Sequence, residues 1–200
     1  MPSSAATSPR IQEKRERRRA EILHAALTAF REKGYHTTTL EDIAERVGIR
    51  NTALYHYFPD KEAILYACHR ESLGEVQELP AEAARRFTTP PEQLAFVIRE
   101  HVRVMTETLE GSPLAFEVTA LAPPHQAEVI AERDRYERAV RRIIQRGQQQ
   151  GVFRAADPKI ATFAIMGAIN WIARWYHPEG SIDTQKLGAE FAHHLVGGLT

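Results

Sequence analysis

The sequence predicts an all-α fold, and three observations carry that expectation. Apolar residues recur at spacings of three and four along most of the chain, no long window alternates like a strand, and prolines, glycines and capping residues cut the chain into helix-sized segments. There is no internal repeat. The expected organisation is a disordered tail over residues 1–10, a small head over 11–60 and a larger helical domain over 61–200.

The elements follow in order. Ile22, Leu23, Ala26, Leu27 and Phe30 form the first stripe, closed by Gly34 as a C-terminal cap. Leu40, Ile43, Ala44 and Val47 form a second, closed by Gly48. Thr38 or Thr39 stands at its start, with Glu41 or Asp42 at the capping-box position. Leu54 and Phe58 belong to a third short helix. Pro59-Asp60 breaks the chain, and Asp60 caps a fourth helix from Lys61, with an irregularity near Pro80.

Pro90-Pro91 opens a helix with Leu94, Ile98, Val102, Met105 and Leu109 on one side. Gly111-Ser112-Pro113 and Pro123-Pro124 bracket a short helix around Leu114–Leu121. A charge-laced helix is expected from His125 to Gln150, ended by Gly151. Asp157-Pro158 starts an apolar helix that runs through Trp175 to Pro178, and Asp183 caps a last helix towards Leu199.

Composition narrows the function classes. The 200 residues carry 26 Lys and Arg against 26 Asp and Glu, but the balance is uneven along the chain. Residues 1–70 hold 12 basic against 9 acidic side chains, a net of +3, which leaves −3 for the rest. Most of the excess lies in Arg10, Lys14, Arg15, Arg17, Arg18 and Arg19, which suits either attraction to phosphate or a solvated helix start. No apolar run reaches the length of a membrane span and no signal-peptide block precedes the first helix, so a cytoplasmic location is expected. Cys68 is the lone cysteine, which excludes an intramolecular disulfide.

The strongest local signal lies between Thr38 and Phe58. Ala44 is small enough for two helices to approach, Gly48 can turn left-handed between them, and Leu54 packs the second helix back. That spacing suits a DNA-binding helix-turn-helix, although many helical hairpins satisfy it. Gly34-Tyr35-His36-Thr37-Thr38-Thr39, Ile43-Ala44, Gly48-Ile49, Leu54-Tyr55-His56-Tyr57-Phe58 and Lys61-Glu62 together closely resemble the signature of the tetracycline-repressor (TetR) family, over the first third of the chain. The resemblance implies a dimeric repressor with a three-helix head, a variable helical effector domain and a pseudo-palindromic operator in double-stranded DNA. It also implies phosphate contacts from Tyr55, His56 and Lys61, with the first turn of the recognition helix reading bases.

Tyr57 and Phe58 read more simply as packing for the head. Where the family has a capping serine and a glycine, this chain has Arg50-Asn51-Thr52-Ala53. Arginine at a helix start opposes the macrodipole at a cost of about 0.3–1 kcal/mol. It also provides no cap, so Asn51 is expected to take that place. A residue that costs stability there fits a base contact, arginine on guanine being the commonest. The expected DNA-contacting set is Thr39, Arg50, Asn51, Thr52, Tyr55, His56 and Lys61.

In the C-terminal half, Ile160, Phe163, Ala164, Gly167, Ala168, Trp171, Ile172 and Trp175 share one stripe, and Leu187, Phe191, Leu195 and Leu199 another. The family resemblance implies that two such helices pair with their symmetry mates, and Gly188, Ala189, Gly197 and Gly198 permit close approach. Asn170 and Arg174 intrude beside the two tryptophans, where they serve either a ligand or the dimer. The run from Gly151-Val152-Phe153-Arg154 through Asn170-Trp171 to Arg174-Trp175-Tyr176-His177-Pro178-Glu179-Gly180 resembles the TetR branch that senses acyl-coenzyme A in fatty-acid, steroid or phenylacetate breakdown. The expected ligand set is Met105, Phe116, Gly167, Asn170, Trp171 and Arg174.

No histidine pair stands at metal spacing, and neither a phosphate loop nor a nucleophile elbow is present, so no cofactor, metal or catalytic residue is expected. The arginines between Arg133 and Arg146 alternate with acids, as on a solvated helix face or against coenzyme A phosphates. The expected function is a repressor released by a small effector, with acyl-coenzyme A as the leading class. Alternatives are a drug-responsive regulator of efflux, a ligand-free DNA binder with a filled C-terminal core, and an all-α enzyme.

Overall fold

The computed structural model describes residues 9–109 and 113–200, and among them there is helix and turn but no strand. Residues 1–8 of the expected tail, and Gly111 and Ser112, lie outside the described residues. Helix α1 spans Pro9–Lys33, so the basic segment forms its first turns. The head is completed by α2 (Leu40–Val47) and α3 (Asn51–Leu54). Beyond it come α4 (Lys61–Gln77), α5 (Leu79–Arg86) and α6 (Pro90–Arg103), the last running into a π-turn over Val104–Thr108. A 3-10 segment (Pro113–Ala120), α7 (Pro123–Gln149), α8 (Pro158–Asn170), a 3-10 turn (Trp171–Arg174) and α9 (Thr184–Gly197) follow.

Local chemistry accounts for the boundaries. Thr39 caps α2: its hydroxyl accepts from Asp42 N at 3.1 Å while the Asp42 carboxylate accepts from Thr39 N at 2.8 Å. Thr38 instead turns inward and donates to Gly34 O at 2.8 Å. Gly48 ends α2 at φ 69°, in the left-handed region that a residue with a Cβ resists. Asp60, Asp157 and Asp183 cap α4, α8 and α9 as their positions predict, and Thr89 with Glu92 closes a second capping box on α6.

Helix α6 is the hub of the larger domain, packed along α9, α5 and α7. Gly188 lies at its contact with α9, where a Cβ would touch the Arg99 backbone at 3.4 Å. Gly188 therefore serves this intrachain crossing, not the symmetry mate expected for it. The helix expected to continue through Trp175 stops as an α-helix at Asn170 and tightens to 3-10 geometry. Its stripe also divides. Ile172 is buried in the core together with Ile165 and Ile169 from outside the stripe, whereas Ile160 and Trp171 stand 67% and 57% exposed on the single chain.

Candidate DNA-reading head and effector cavity

The head presents Thr39, Arg50, Thr52, Tyr55 and His56 to solvent on one side of the α2–α3 turn. Ile43, Ala44, Leu54 and Phe58 lie on the other side, against α1. Arg50 occupies the N-cap of α3 with extended backbone and no side-chain capping bond, so it gives the helix nothing. Asn51 does not cap either. It is the first helical residue, and its amide Nδ2 donates to the Glu41 carboxylate on α2, tying the two helices together. Its Oδ1 is buried with no partner among the described residues.

Lys61 departs furthest from expectation. Its ammonium donates to Tyr35 O at 2.7 Å, His36 O at 3.1 Å and Thr38 O at 2.7 Å, and lies 4.5 Å from the centre of the Tyr35 ring. Three donors meet three carbonyls, so the group expected on a phosphate instead clamps α4 to the turn between α1 and α2. Partial burial lowers the Lys61 pKa from its ordinary value. Arg19 is likewise drawn in, its guanidinium 4.3 Å from the Phe58 ring centre and bonded to Tyr57 O at 3.3 Å. Arg10, Lys14, Arg15 and Arg17 remain exposed along the start of α1.

The larger domain holds a partly open cavity of about 240 Å³ between α4, α6, α7 and α8. Leu73, Val76, Val104, Met105, Leu109 and Leu114 supply apolar walls. The π-turn places Val104 and Met105 in that wall; such insertions widen a helix locally and recur at functional sites. His69, His101, Arg133, Tyr136 and Asn170 bring polar atoms to the same space.

Those polar groups are ordered relative to one another. The Tyr136 hydroxyl lies 3.2 Å from His101 Nδ1, both buried. Burial raises the Tyr136 pKa and pulls His101 down to about 4. Arg133 Nη2 lies 3.4 Å from His69 Nδ1. A guanidinium can only donate, so Nδ1 accepts and the neutral ring carries its proton on Nε2. Burial, with the Arg133 charge adding to it, holds the His69 pKa at about 3. Nε2 is buried and has no partner among the described residues, an omission that costs a folded protein about 1–3 kcal/mol.

Of the six residues expected to bind ligand, Met105 and Asn170 line this cavity. Phe116, Gly167, Trp171 and Arg174 do not line it. Trp171 and Phe116 meet edge to face at 6.5 Å on the surface, and the Arg174 guanidinium lies over the Phe116 ring at 4.7 Å. Gly167 is exposed, and a Cβ there would touch nothing. The groups that sequence reasoning passed over are His69, His101 and Tyr136, whereas Arg133 was expected on a solvated face or against coenzyme A phosphates. A signal existed, since His69 interrupts the buried run Leu65, Leu73, Val76 on α4, and Arg133 sits between Val129 and Tyr136 on α7. Arg133 is thus a cavity residue and not part of a solvated face.

Comparison with known proteins agrees with this division of labour. The family profile for bacterial regulatory proteins of the tetR family matches residues 22–68, and that for the tetracyclin repressor-like C-terminal domain matches residues 88–199. The HTH-type transcriptional repressor KstR2 of Mycolicibacterium smegmatis is 28% identical, over 92% of this chain and 91% of that protein. The TetR-family regulator PfmR of Thermus thermophilus superposes with a TM-score of 0.80 at 32% identity, covering 90% of this chain and 98% of the other. AibR, solved with isovaleryl coenzyme A and operator DNA, shares the fold: TM-score 0.77, 24% identity, 91% and 97% of the two chains. No described helix is long and apolar enough to cross a membrane.

Proposed function

The chain belongs to the TetR family of bacterial regulators, and on that footing we propose that it represses transcription as a dimer and lets its operator go when the acyl group of a coenzyme A thioester fills the cavity. It is an effector-responsive repressor that binds operator DNA and dimerises. Thr39, Arg50, Thr52, Tyr55 and His56 are its DNA-facing set, with Arg50 on a base and the exposed cations of α1 on phosphates. Asn51, with Nδ2 held by Glu41 and Oδ1 buried, positions α3 beside them. The exposed stripe of α8, from Ile160 through Ala164 and Gly167 to Trp171, is the dimer face, because an apolar stripe of that length needs a cover.

One observation carries the ligand-release reading. Helix α4 holds the head at Lys61 and walls the cavity with His69, Ser72, Leu73 and Val76. A ligand that shifts the cavity end of a stiff helix also shifts the head it grips, and so changes the spacing of two heads on DNA. A hundredfold preference for the released state moves the equilibrium by about 2.7 kcal/mol per site. The thioester class is supported by the mixed polar and apolar lining and by a volume suited to an acyl group, with the nucleotide part outside. AibR illustrates that this fold can hold an acyl-coenzyme A and operator DNA.

Calorimetry and operator release across thioesters from acetyl to lauroyl, with free acids and free coenzyme A as controls, test the reading. Thioesters should bind and release DNA at concentrations where both controls are silent. Release by an apolar drug-like cation, with no response to any thioester, overturns the assignment in favour of efflux control.

A further inference from the structure

We propose that His69 is the effector-reading donor of the cavity, its Nε2–H donating to a carbonyl oxygen of the ligand. The inference rests on the acyl-thioester reading above and names the atom by which that class is recognised. Three features of the site meet at this one nitrogen. Nε2 is buried and unpartnered among the described residues, on a side chain that lines the cavity. Its tautomer is set by Arg133, whose Nη2 can only donate to Nδ1 and so leaves the proton on the other ring nitrogen. The imidazole is held neutral through the physiological range by burial, so it offers one directional donor and not a charge.

A neutral donor in an apolar wall discriminates by what it lacks. A ligand that brings an acceptor satisfies it, whereas one that brings only methylene excludes the remaining solvent and leaves the N–H stranded. A carbonyl oxygen fits, because it accepts without donating and carries no charge to bury. His69 is also on α4, so the bond would act directly on the helix that Lys61 ties to the head.

The carbonyl could be that of the thioester or a ketone farther along the acyl body, and three probes separate these sources. Hexanoyl-coenzyme A has the thioester carbonyl, the hexyl thioether of coenzyme A has none, and the 5-oxohexyl thioether carries a ketone on its tail. With the wild-type protein, binding and operator release should need about tenfold more hexyl thioether than hexanoyl thioester. If the bonded carbonyl is instead on the tail, the hexanoyl and hexyl compounds should be equally weak and the 5-oxohexyl thioether about tenfold more potent than either. His69→Gln, which keeps an amide donor near Nε2, should retain the preference, and His69→Leu should abolish it. The wild-type comparison stands even if a variant fails to fold. Equal potency of all three probes overturns the role of His69 and leaves the thioester reading intact, whereas no binding by any of them overturns that reading and this assignment with it.

Discussion

Lys61 and His69 lie eight residues apart on α4, the first bonded to the carbonyls of Tyr35, His36 and Thr38 in the head, the second to Arg133 in the cavity wall. At 1.5 Å per residue they are separated by about 12 Å of continuous helix. Each contact is polar and directional, so neither end can slide without breaking bonds. The two-ended grip is the structural basis of the α4 route proposed above.

The Lys61 clamp gives an expectation opposite to that of a phosphate contact. Lys61→Gln should destabilise the protein by about 1.5–3 kcal/mol, because charge-assisted bonds to three carbonyls are lost. The slope of log K against log salt for operator binding should stay unchanged. A slope reduced by about 0.9, with stability unaffected, would return Lys61 to the DNA.

Arg50→Ala should cost about 1–3 kcal/mol of specific operator binding and leave nonspecific affinity nearly unchanged. Urea unfolding should show equal or slightly greater stability, since Arg50 makes no capping bond and its charge opposes the α3 dipole. An equal loss on specific and random DNA would identify a phosphate contact instead.

Ala164 is exposed mid-stripe on α8 and is not itself a cavity-lining residue. Ala164→Glu should therefore yield a monomer by sedimentation, with helical circular dichroism preserved and operator affinity strongly reduced. A stable dimer would move the interface elsewhere.

Two buried histidines make the fold acid-sensitive. His69 and His101 have native pKa values of about 3 and about 4, below the ordinary value of 6.5. Between pH 6.5 and those values the unfolded chain binds protons that the native state refuses, so stability is full above pH 6.5 and falls as pH drops. Each histidine adds a slope of up to about 1.4 kcal/mol per pH unit in that window. Urea midpoints measured from pH 7.5 to 4.5 should decline accordingly, and His101→Phe should flatten the decline.

Much of the fold was legible because its signals are local. Thr39 with Asp42, Thr89 with Glu92, Asp60, Asp157, Asp183 and Gly48 each act within a few residues, and each ended or began a helix where the sequence placed it. The family signature was legible for the same reason, since the head is built within one short stretch. The extent of α8 was not: the change to 3-10 geometry after Asn170 breaks no sequence rule.

What the sequence by itself determined, then, is the helical class, the family and most of the helix ends. Only the tertiary structure decided which way the polar residues point. Lys61 turns inward because carbonyls 23 to 26 residues away meet it. His69 and Arg133 share a cavity although 64 residues separate them. Phe116, Trp171 and Arg174 gather outside that cavity, against the expectation of a ligand site. The physical reason is that periodicity reports which face of a helix is apolar, whereas the fate of a charge or an imidazole on its margin depends on the partner that another helix brings to it.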